Sequence, residues 1–98
     1  MKLLPCAYVV AAILIGASAA QAADGQAVYN TNCGMCHNNI APKIGDKDAW
    51  APLIKQGNDA LVADVIKGKG AMPPKGGHAN LSDDDIKAAT EYLVSKSQ

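Results

Sequence analysis

The chain has 98 residues, with nine basic residues, nine acidic residues and a formal net charge of zero at pH 7. This balance excludes a generally basic nucleic-acid-binding protein, and the length is that of one domain. A chain this short buries a small share of its surface, and this one has no Phe and one Trp. We therefore expect a disulfide, a metal or a cofactor to complete the core.

The first 22 residues are predicted to be a secretory signal peptide. Lys2 precedes an apolar run, and Ala20-Gln21-Ala22 is a small-x-small cleavage pattern. Cleavage after Ala22 would leave one mature domain, residues 23–98, in the periplasm, with eight lysines against nine acidic residues. The alternative is a retained anchor, because the run from Leu3 to Ala20 has 18 residues. We expect no membrane span after cleavage.

The first half of the mature chain predicts two helices and a loop. A helix from about Asp24 to Asn32, capped by Asp24, is expected to end at the Cys-Gly-Met-Cys-His segment. Residues 40–48 are expected to form an irregular loop. A short helix should follow, with Trp50 facing inward and Gly57 as its stop.

The second half predicts two further helices separated by a long loop. Asn58 is expected to cap a helix that ends at Gly68 and Gly70, and Ser82 with Asp85 has the spacing of a capping box. Residues 71–81 hold too many prolines and glycines for regular structure. The last helix has an apolar stripe, and no alternating strand pattern occurs in the mature chain. The stripe consists of Ile86, Ala89, Thr90, Leu93 and Val94. We predict an all-α fold with long loops.

Cys33, Cys36 and His37 form the chemically most specific pattern, which three chemistries could use. Structural zinc needs four ligands, and this segment offers three at most. A dithiol redox site usually lies in a βαβ setting, which the chain lacks. Cys-x-x-Cys-His is also the attachment signal of c-type haem, in which both thiols add to porphyrin vinyl groups and the histidine ligates the iron. Predicted export and the small core favour haem.

Met72 is the favoured sixth ligand of such an iron. It lies in Ala71-Met72-Pro73-Pro74, where the prolines stiffen the loop, and His with Met raises the reduction potential of a haem. His78 is the rival ligand. We expect the polypeptide alone to enclose a hollow beside His37 and Met72.

Beyond the haem signal, the chain resembles the class I c-type cytochromes, and more narrowly the short bacterial cytochrome c5 branch. The resemblance covers nearly all of residues 23–98. It is carried by Gly25, Tyr29, Cys33-Gly34-Met35-Cys36-His37, Ala41-Pro42-Lys43-Ile44-Gly45-Asp46, Ala49-Trp50-Ala51-Pro52, Gly68-Lys69-Gly70-Ala71-Met72-Pro73-Pro74-Lys75-Gly76-Gly77 and Glu91-Tyr92-Leu93. Many members of that branch carry a cysteine pair where this chain has His78-Ala79-Asn80-Leu81.

The resemblance implies a small cytochrome c fold of three to four helices wrapped around one covalently bound haem c. It implies thioethers at Cys33 and Cys36, and axial iron ligands at His37 and Met72. The Pro42 carbonyl would accept a hydrogen bond from the free nitrogen of His37. Two further implications concern packing: Gly25 and Tyr29 would meet Tyr92 and Leu93 where the first and last helices cross, and Trp50 would pack near the haem edge or a propionate.

The predicted function is that of a periplasmic one-electron carrier in a respiratory chain, which is not an enzyme. Its partners would be redox proteins such as reductases, oxidases or dehydrogenases, and lysines near the haem could steer an acidic partner face. These lysines are Lys43, Lys47, Lys69 and Lys75. The alternatives are a haem enzyme or its electron-entry subunit, and a gas sensor with an open or His-ligated sixth position.

Overall fold

Helices joined by two long loops make up residues 23–98, the part of the chain that this computed structural model describes. The predicted signal peptide, residues 1–22, lies outside the described residues. The elements are α1 (Gly25–Val28), a π-helical turn (Tyr29–Cys33), α2 (Gly34–His37), α3 (Lys47–Ile54), α4 (Asn58–Lys67), a 3-10 turn (Pro74–Gly77) and α5 (Asp83–Lys96). Because α1, the π turn and α2 run on without a break, there are four helical segments. Within residues 23–98 the sole β feature is an isolated bridge between Lys69 and Met72. The all-α prediction is confirmed.

The first helical segment is longer than predicted. It was expected to end at about Asn32, but it continues to His37. The backbone N–H of Gly34 donates to the carbonyl of Tyr29, five residues earlier, so a single π turn takes up an extra residue and the helix goes on. Cys33, Cys36 and His37 are therefore part of a helix and do not follow one.

The helix caps mostly follow the sequence. The Asp24 carboxylate accepts hydrogen bonds from the backbone N–H groups of Gln26 and Ala27, and Ser82 with Asp85 forms the predicted capping box. The prediction that Asn58 caps α4 is wrong. The residue before the helix is Gly57, whose φ of 89° suits glycine, so the chain enters the helix one residue earlier.

The core lies where α1 and α5 cross. A Cβ on Gly25 would stand 2.8 Å from the carbonyl carbon of Ala88 and 3.3 Å from Cβ of Tyr92, so only glycine permits this approach. The rings of Tyr29 and Tyr92 lie 5.4 Å apart, and Tyr29 packs with Leu93. The crossing that the resemblance implies is thus present. All five residues of the predicted α5 stripe are buried.

Two loops connect these helices around a common space. The Pro42 loop (residues 38–46) joins α2 to α3, and the Met72 loop (residues 68–82) joins α4 to α5. None of the helices in residues 23–98 combines the length and the apolar character that a membrane crossing requires.

Candidate functional site

A cavity of about 560 Å³ lies between the helices and the two loops. Its volume falls in the range of cofactor pockets, roughly 300–1,000 Å³. The wall is mainly apolar, with side chains from α3, α4 and α5 that include Leu53, Leu61, Val65, Ile86 and Leu93. All six predicted site residues line it: Cys33, Cys36, His37, Pro42, Trp50 and Met72. The expected hollow beside His37 and Met72 is confirmed.

The attachment motif presents its three reactive groups on one side of a helical turn. Cys36 and His37 stand three and four residues after Cys33, and these spacings share a helix face. Both cysteines are free thiols, Cys33 half-buried and Cys36 exposed. Burial, and next the neighbouring Cys36, raise the pKa of the Cys33 thiol. Cys33 is therefore a protonated thiol at neutral pH.

His37 is oriented by the Pro42 loop. Its Nδ1 lies 2.9 Å from the carbonyl oxygen of Pro42, the contact that the resemblance implies. A carbonyl can only accept, so Nδ1 carries the proton and donates it. In the neutral ring, this leaves the lone pair on Nε2, the atom that a metal would bind.

Three further hydrogen bonds hold the Pro42 loop. The backbone N–H of Ile44 donates to the His37 carbonyl at 2.8 Å, which closes the loop on its own start. The indole Nε1 of Trp50 donates to the Lys43 carbonyl at 2.8 Å. The backbone N–H of Gly45 donates to Oγ of Ser97, 52 residues away, at 2.9 Å.

Trp50 serves both the core and the cavity. Its side chain is buried in the cluster with Tyr29 and Leu93, and its ring centroid lies 6.2 Å from that of His37. The indole has one donor, which the Lys43 carbonyl already occupies. Trp50 can therefore contact a bound group through its ring, and a hydrogen bond to a propionate would require it to release Lys43.

Met72 reaches the cavity from a tight turn in the Met72 loop. Lys69 and Met72 exchange two backbone hydrogen bonds of 3.0 Å. Gly68, at φ 82°, lets the loop fold back, because a Cβ there would stand 2.8 Å from the nitrogen of Pro74 and 2.9 Å from the oxygen of Met72. The rival ligand His78 does not line the cavity.

The donor set of the cavity fits an iron porphyrin. It combines two thiols on one helical turn, an imidazole with a free Nε2 and a thioether from a different element, within an apolar wall. Imidazole and thioether are axial ligands of electron-transfer haems.

The four predicted docking lysines differ in their surroundings. Lys43 and Lys47 are exposed on and just after the Pro42 loop. Lys69 lies at the cavity, 61% exposed and 3.5 Å from Asp64. Lys75 is only 25% exposed, and its Nζ donates to the Leu81 carbonyl at 2.7 Å. Lys75 is thus bonded within the protein and is less exposed than Lys69, while its role in docking stays a prediction.

Sequence reasoning missed the residues that hold the loops. Ser97, which is 1% exposed, accepts from Gly45 and donates to the Leu93 carbonyl at 2.8 Å. A serine next to the last residue of a chain carries no pattern that predicts such a contact. For Lys75 a weak signal exists, because it is the charged residue inside Pro73-Pro74-Lys75-Gly76-Gly77.

Comparisons with known proteins agree on one family. A family model described as cytochrome C oxidase, cbb3-type, subunit III matches residues 20–93. Cytochrome c-555 of Chlorobaculum tepidum is 44% identical, with 99% of this chain and 98% of that protein covered. Cytochrome c5 of Azotobacter vinelandii is also 44% identical, with 69% of this chain and 88% of that protein covered. A crystal structure of an electron transfer complex of nitrite reductase with cytochrome c contains a chain that is 45% identical, with a TM-score of 0.73, 76% of this chain covered and 95% of that one.

Proposed function

We propose how this chain holds its one covalent haem c. The chain belongs to the class I c-type cytochromes and is therefore an electron carrier and not an enzyme. Cys33 and Cys36 would form the two thioethers. Nε2 of His37 and the sulfur of Met72 would ligate the iron. This assignment uses every sulfur and imidazole donor that lines the cavity.

The protein residues do four things in this mechanism. Cys33 and Cys36 would hold the porphyrin through thioethers, each thiol adding its sulfur and its hydrogen across one vinyl group, which requires no oxidant. The Pro42 carbonyl keeps Nδ1 of His37 protonated and the ring in one orientation. His37 and Met72 would both ligate the iron, which would leave it no position for a substrate. The apolar wall excludes water, and haem supplies, when bound, the one-electron couple of its iron.

The observation that carries the assignment is the hydrogen bond from His37 to Pro42. A histidine that merely packs in a core has no need of a fixed tautomer with Nε2 free. Here the bond of 2.9 Å fixes that tautomer at the wall of a cavity that Met72 also lines.

Two measurements on the purified protein test the assignment. Intact mass should exceed that of the polypeptide by one haem that acid–acetone does not extract, and peptide mapping should place it on Cys33 and Cys36. The ferric spectrum should contain the weak long-wavelength band of iron–sulfur ligation, and Met72→Ala should abolish it. Extractable haem would refute the thioethers, and a wild-type spectrum without the band would refute Met72.

Export to the periplasm is the second part of the proposal. It is supported by the pattern of residues 1–22 and by the thiol chemistry of haem attachment, which takes place outside the cytoplasm. N-terminal sequencing of the haem-bearing protein should begin at Ala23. A start at Met1 in the membrane fraction would show a retained anchor.

Redox partners are proposed to dock near the exposed lysines. Lys43 and Lys47 are exposed on and just after the Pro42 loop, and Lys69 lines the cavity. Their positive charge favours an acidic partner face. Lys75 contributes less than the sequence predicts, because the Leu81 carbonyl holds its ammonium. The crystal complex of a related cytochrome c with nitrite reductase supports a protein partner of this kind.

Small oxidants of opposite charge test the local field without a protein partner. The reduced protein should react faster with anionic hexacyanoferrate(III) as salt is lowered, and more slowly with cationic tris(phenanthroline)cobalt(III). Lys43→Gln should reduce both salt dependences, while Lys87→Gln, which removes the same single charge from an exposed lysine on α5, serves as the control for net charge. Equal effects of the two changes would refute steering by the lysines near the Pro42 loop.

A further inference from the structure

Lys75 adopts a backbone conformation that its residue type disfavours. Among the described residues it is the one non-glycine with positive φ, at φ 55° and ψ 27°. The two residues after it, Gly76 and Gly77, share positive φ and suit it. A side chain with a Cβ is strained in this region, so a lysine is unexpected between Pro74 and two glycines unless its side chain has a use.

The ammonium of Lys75 closes the Met72 loop. Its Nζ donates to the carbonyl of Leu81 at 2.7 Å and lies 3.9 Å from a carboxylate oxygen of Asp83. Leu81 is 6% exposed and the Lys75 side chain is 25% exposed, so the bond is partly shielded from water and is stronger than a fully exposed contact. It joins the turn just after Met72 to the start of α5.

Gly76 connects this tether to Met72. The backbone N–H of Gly76 donates to the Pro73 carbonyl at 2.9 Å, which forms the turn that Lys75 shapes. Cε of Met72 lies 3.9 Å from the place where a Cβ of Gly76 would stand. The end of the Met72 side chain therefore lies beside the turn that contains Lys75.

We propose that Lys75 is a positioning residue for the distal ligand: its ammonium, bound to the Leu81 carbonyl, keeps the Met72 loop closed and the Met72 sulfur in place. The inference rests on the proposed role of Met72 as an iron ligand. It assigns Lys75 to the internal structure of the loop and not to partner docking.

Displacement of Met72 by added imidazole measures loop opening directly. The rate is followed in the ferric protein by loss of the iron–sulfur band. Lys75→Met keeps the side-chain length without the donor, and displacement should become about tenfold faster, the change expected for one charge-assisted hydrogen bond. Lys75→Arg keeps a charged donor and should restore a rate close to that of the wild type.

Two controls separate the tether from other effects. Asparagine tolerates positive φ, so Lys75→Asn relieves the strain without an ammonium and should also open fast. A slow, wild-type rate in Lys75→Asn would overturn the inference, because conformation alone would then close the loop. Lys87→Met removes an exposed charge on α5 and should leave the rate unchanged. If Lys87→Met lost Met72 as fast as Lys75→Met does, the inference would also be overturned, because the change in net charge would then explain the faster displacement.

The outcomes also separate this inference from the proposed ligand set. A wild-type protein without the iron–sulfur band would refute Met72 as ligand and the role of Lys75 with it. A wild-type band combined with equal rates in the wild type and Lys75→Met would refute the role of Lys75 alone. Should Lys75→Met yield no haem-bearing protein, Lys75→Leu, which also lacks a donor, provides the same comparison.

Discussion

The two loops that border the cavity are held in different ways. The Pro42 loop is fixed by side chains that lie on helices outside it or beyond their ends: Trp50 of α3 binds the Lys43 carbonyl, and Ser97, which follows α5, binds Gly45 across 52 residues. The Met72 loop is closed mainly by contacts within itself, such as the Lys69–Met72 pair and the bond from Lys75 to Leu81.

This difference predicts different motions. A loop fixed by distant elements opens only when those elements separate, whereas a loop closed by its own contacts can open while the rest of the fold stays intact. We therefore expect the His37 side of the cavity to follow global stability, and the Met72 side to open locally.

The largest effects should come from the two proposed ligands, and they should be unequal. His37→Ala is expected to prevent accumulation of haem-bearing protein, because the imidazole that lies between the two cysteines and the Pro42 loop is lost. Met72→Ala should retain covalent haem and lower the reduction potential on the order of 0.1 V or more, within the roughly 0.8 V that axial ligands control. The yield of haem-bearing protein measures the first effect in both variants, and a redox titration measures the reduction potential of Met72→Ala. Equal loss of haem in both variants would contradict a locally opening Met72 loop.

Gly68→Ala should be the next largest change. The new Cβ would meet Pro74 and Met72 within 3.0 Å at a φ of 82°, so about 2 kcal/mol or more of stability should be lost. Gly57→Ala is the matched control, since its φ is 89° but nothing lies within 4 Å of the added carbon. It should cost only about 1 kcal/mol. Denaturant unfolding of both variants, with the iron–sulfur band as a second probe, separates backbone strain from the close approach. Equal losses would show that the approach of Gly68 to Met72 contributes nothing.

Ser97→Ala should destabilise the fold without opening the Met72 loop. The change leaves the N–H of Gly45 without its partner, at a cost of about 1–3 kcal/mol. Ser95→Ala, which removes an exposed hydroxyl bonded to the Tyr92 carbonyl of its own helix, should cost far less. Urea unfolding gives the free energies, and imidazole displacement should be unchanged in both. Faster displacement in Ser97→Ala would show that the two loops are coupled.

The smallest effect concerns Tyr29 at high pH. Burial, and then the neighbouring Cys33 and Tyr92, raise the pKa of Tyr29 above its ordinary value of 10.0. The folded state thus favours the neutral phenol, and this stability is present below pH 10.0 and is lost as the pH rises through the folded pKa. Tyr29→Phe should lower the free energy of unfolding by about 1 kcal/mol at neutral pH, because the hydrogen bond from Tyr29 to Asn38 is lost. The free energy of unfolding of this variant should decline less steeply than that of the wild type as the pH rises. The free energy of unfolding of both proteins, measured from pH 8 upward in steps of about one unit, gives the dependence on pH that checks this prediction.

The sequence was sufficient where local pattern determines structure. The capping box at Ser82, the buried stripe of α5 and the crossing at Gly25 depend on short-range spacing or on the lack of a Cβ. The hollow followed from a shortage of bulky side chains. The ligand roles of His37 and Met72 stay predictions that the cavity supports.

The rest depends on contacts that sequence spacing does not encode. The π turn that carries the first helix on to His37 arises from one shifted hydrogen bond, for which residues 29–33 show no signal. The Gly45 contact of Ser97 forms only after α5 has packed. The internal role of Lys75 needs the left-handed turn, which places an apparent surface charge over the Leu81 carbonyl.

The helical turn from Cys33 to His37 also bears on refolding. Both proposed covalent anchors and one proposed iron ligand occupy five consecutive residues, so a denatured chain should keep its pigment and need no encounter with a second molecule. Renaturation should then be unimolecular, with a rate independent of protein concentration. Recovery should be limited by the return of the sulfur ligand from 35 residues downstream.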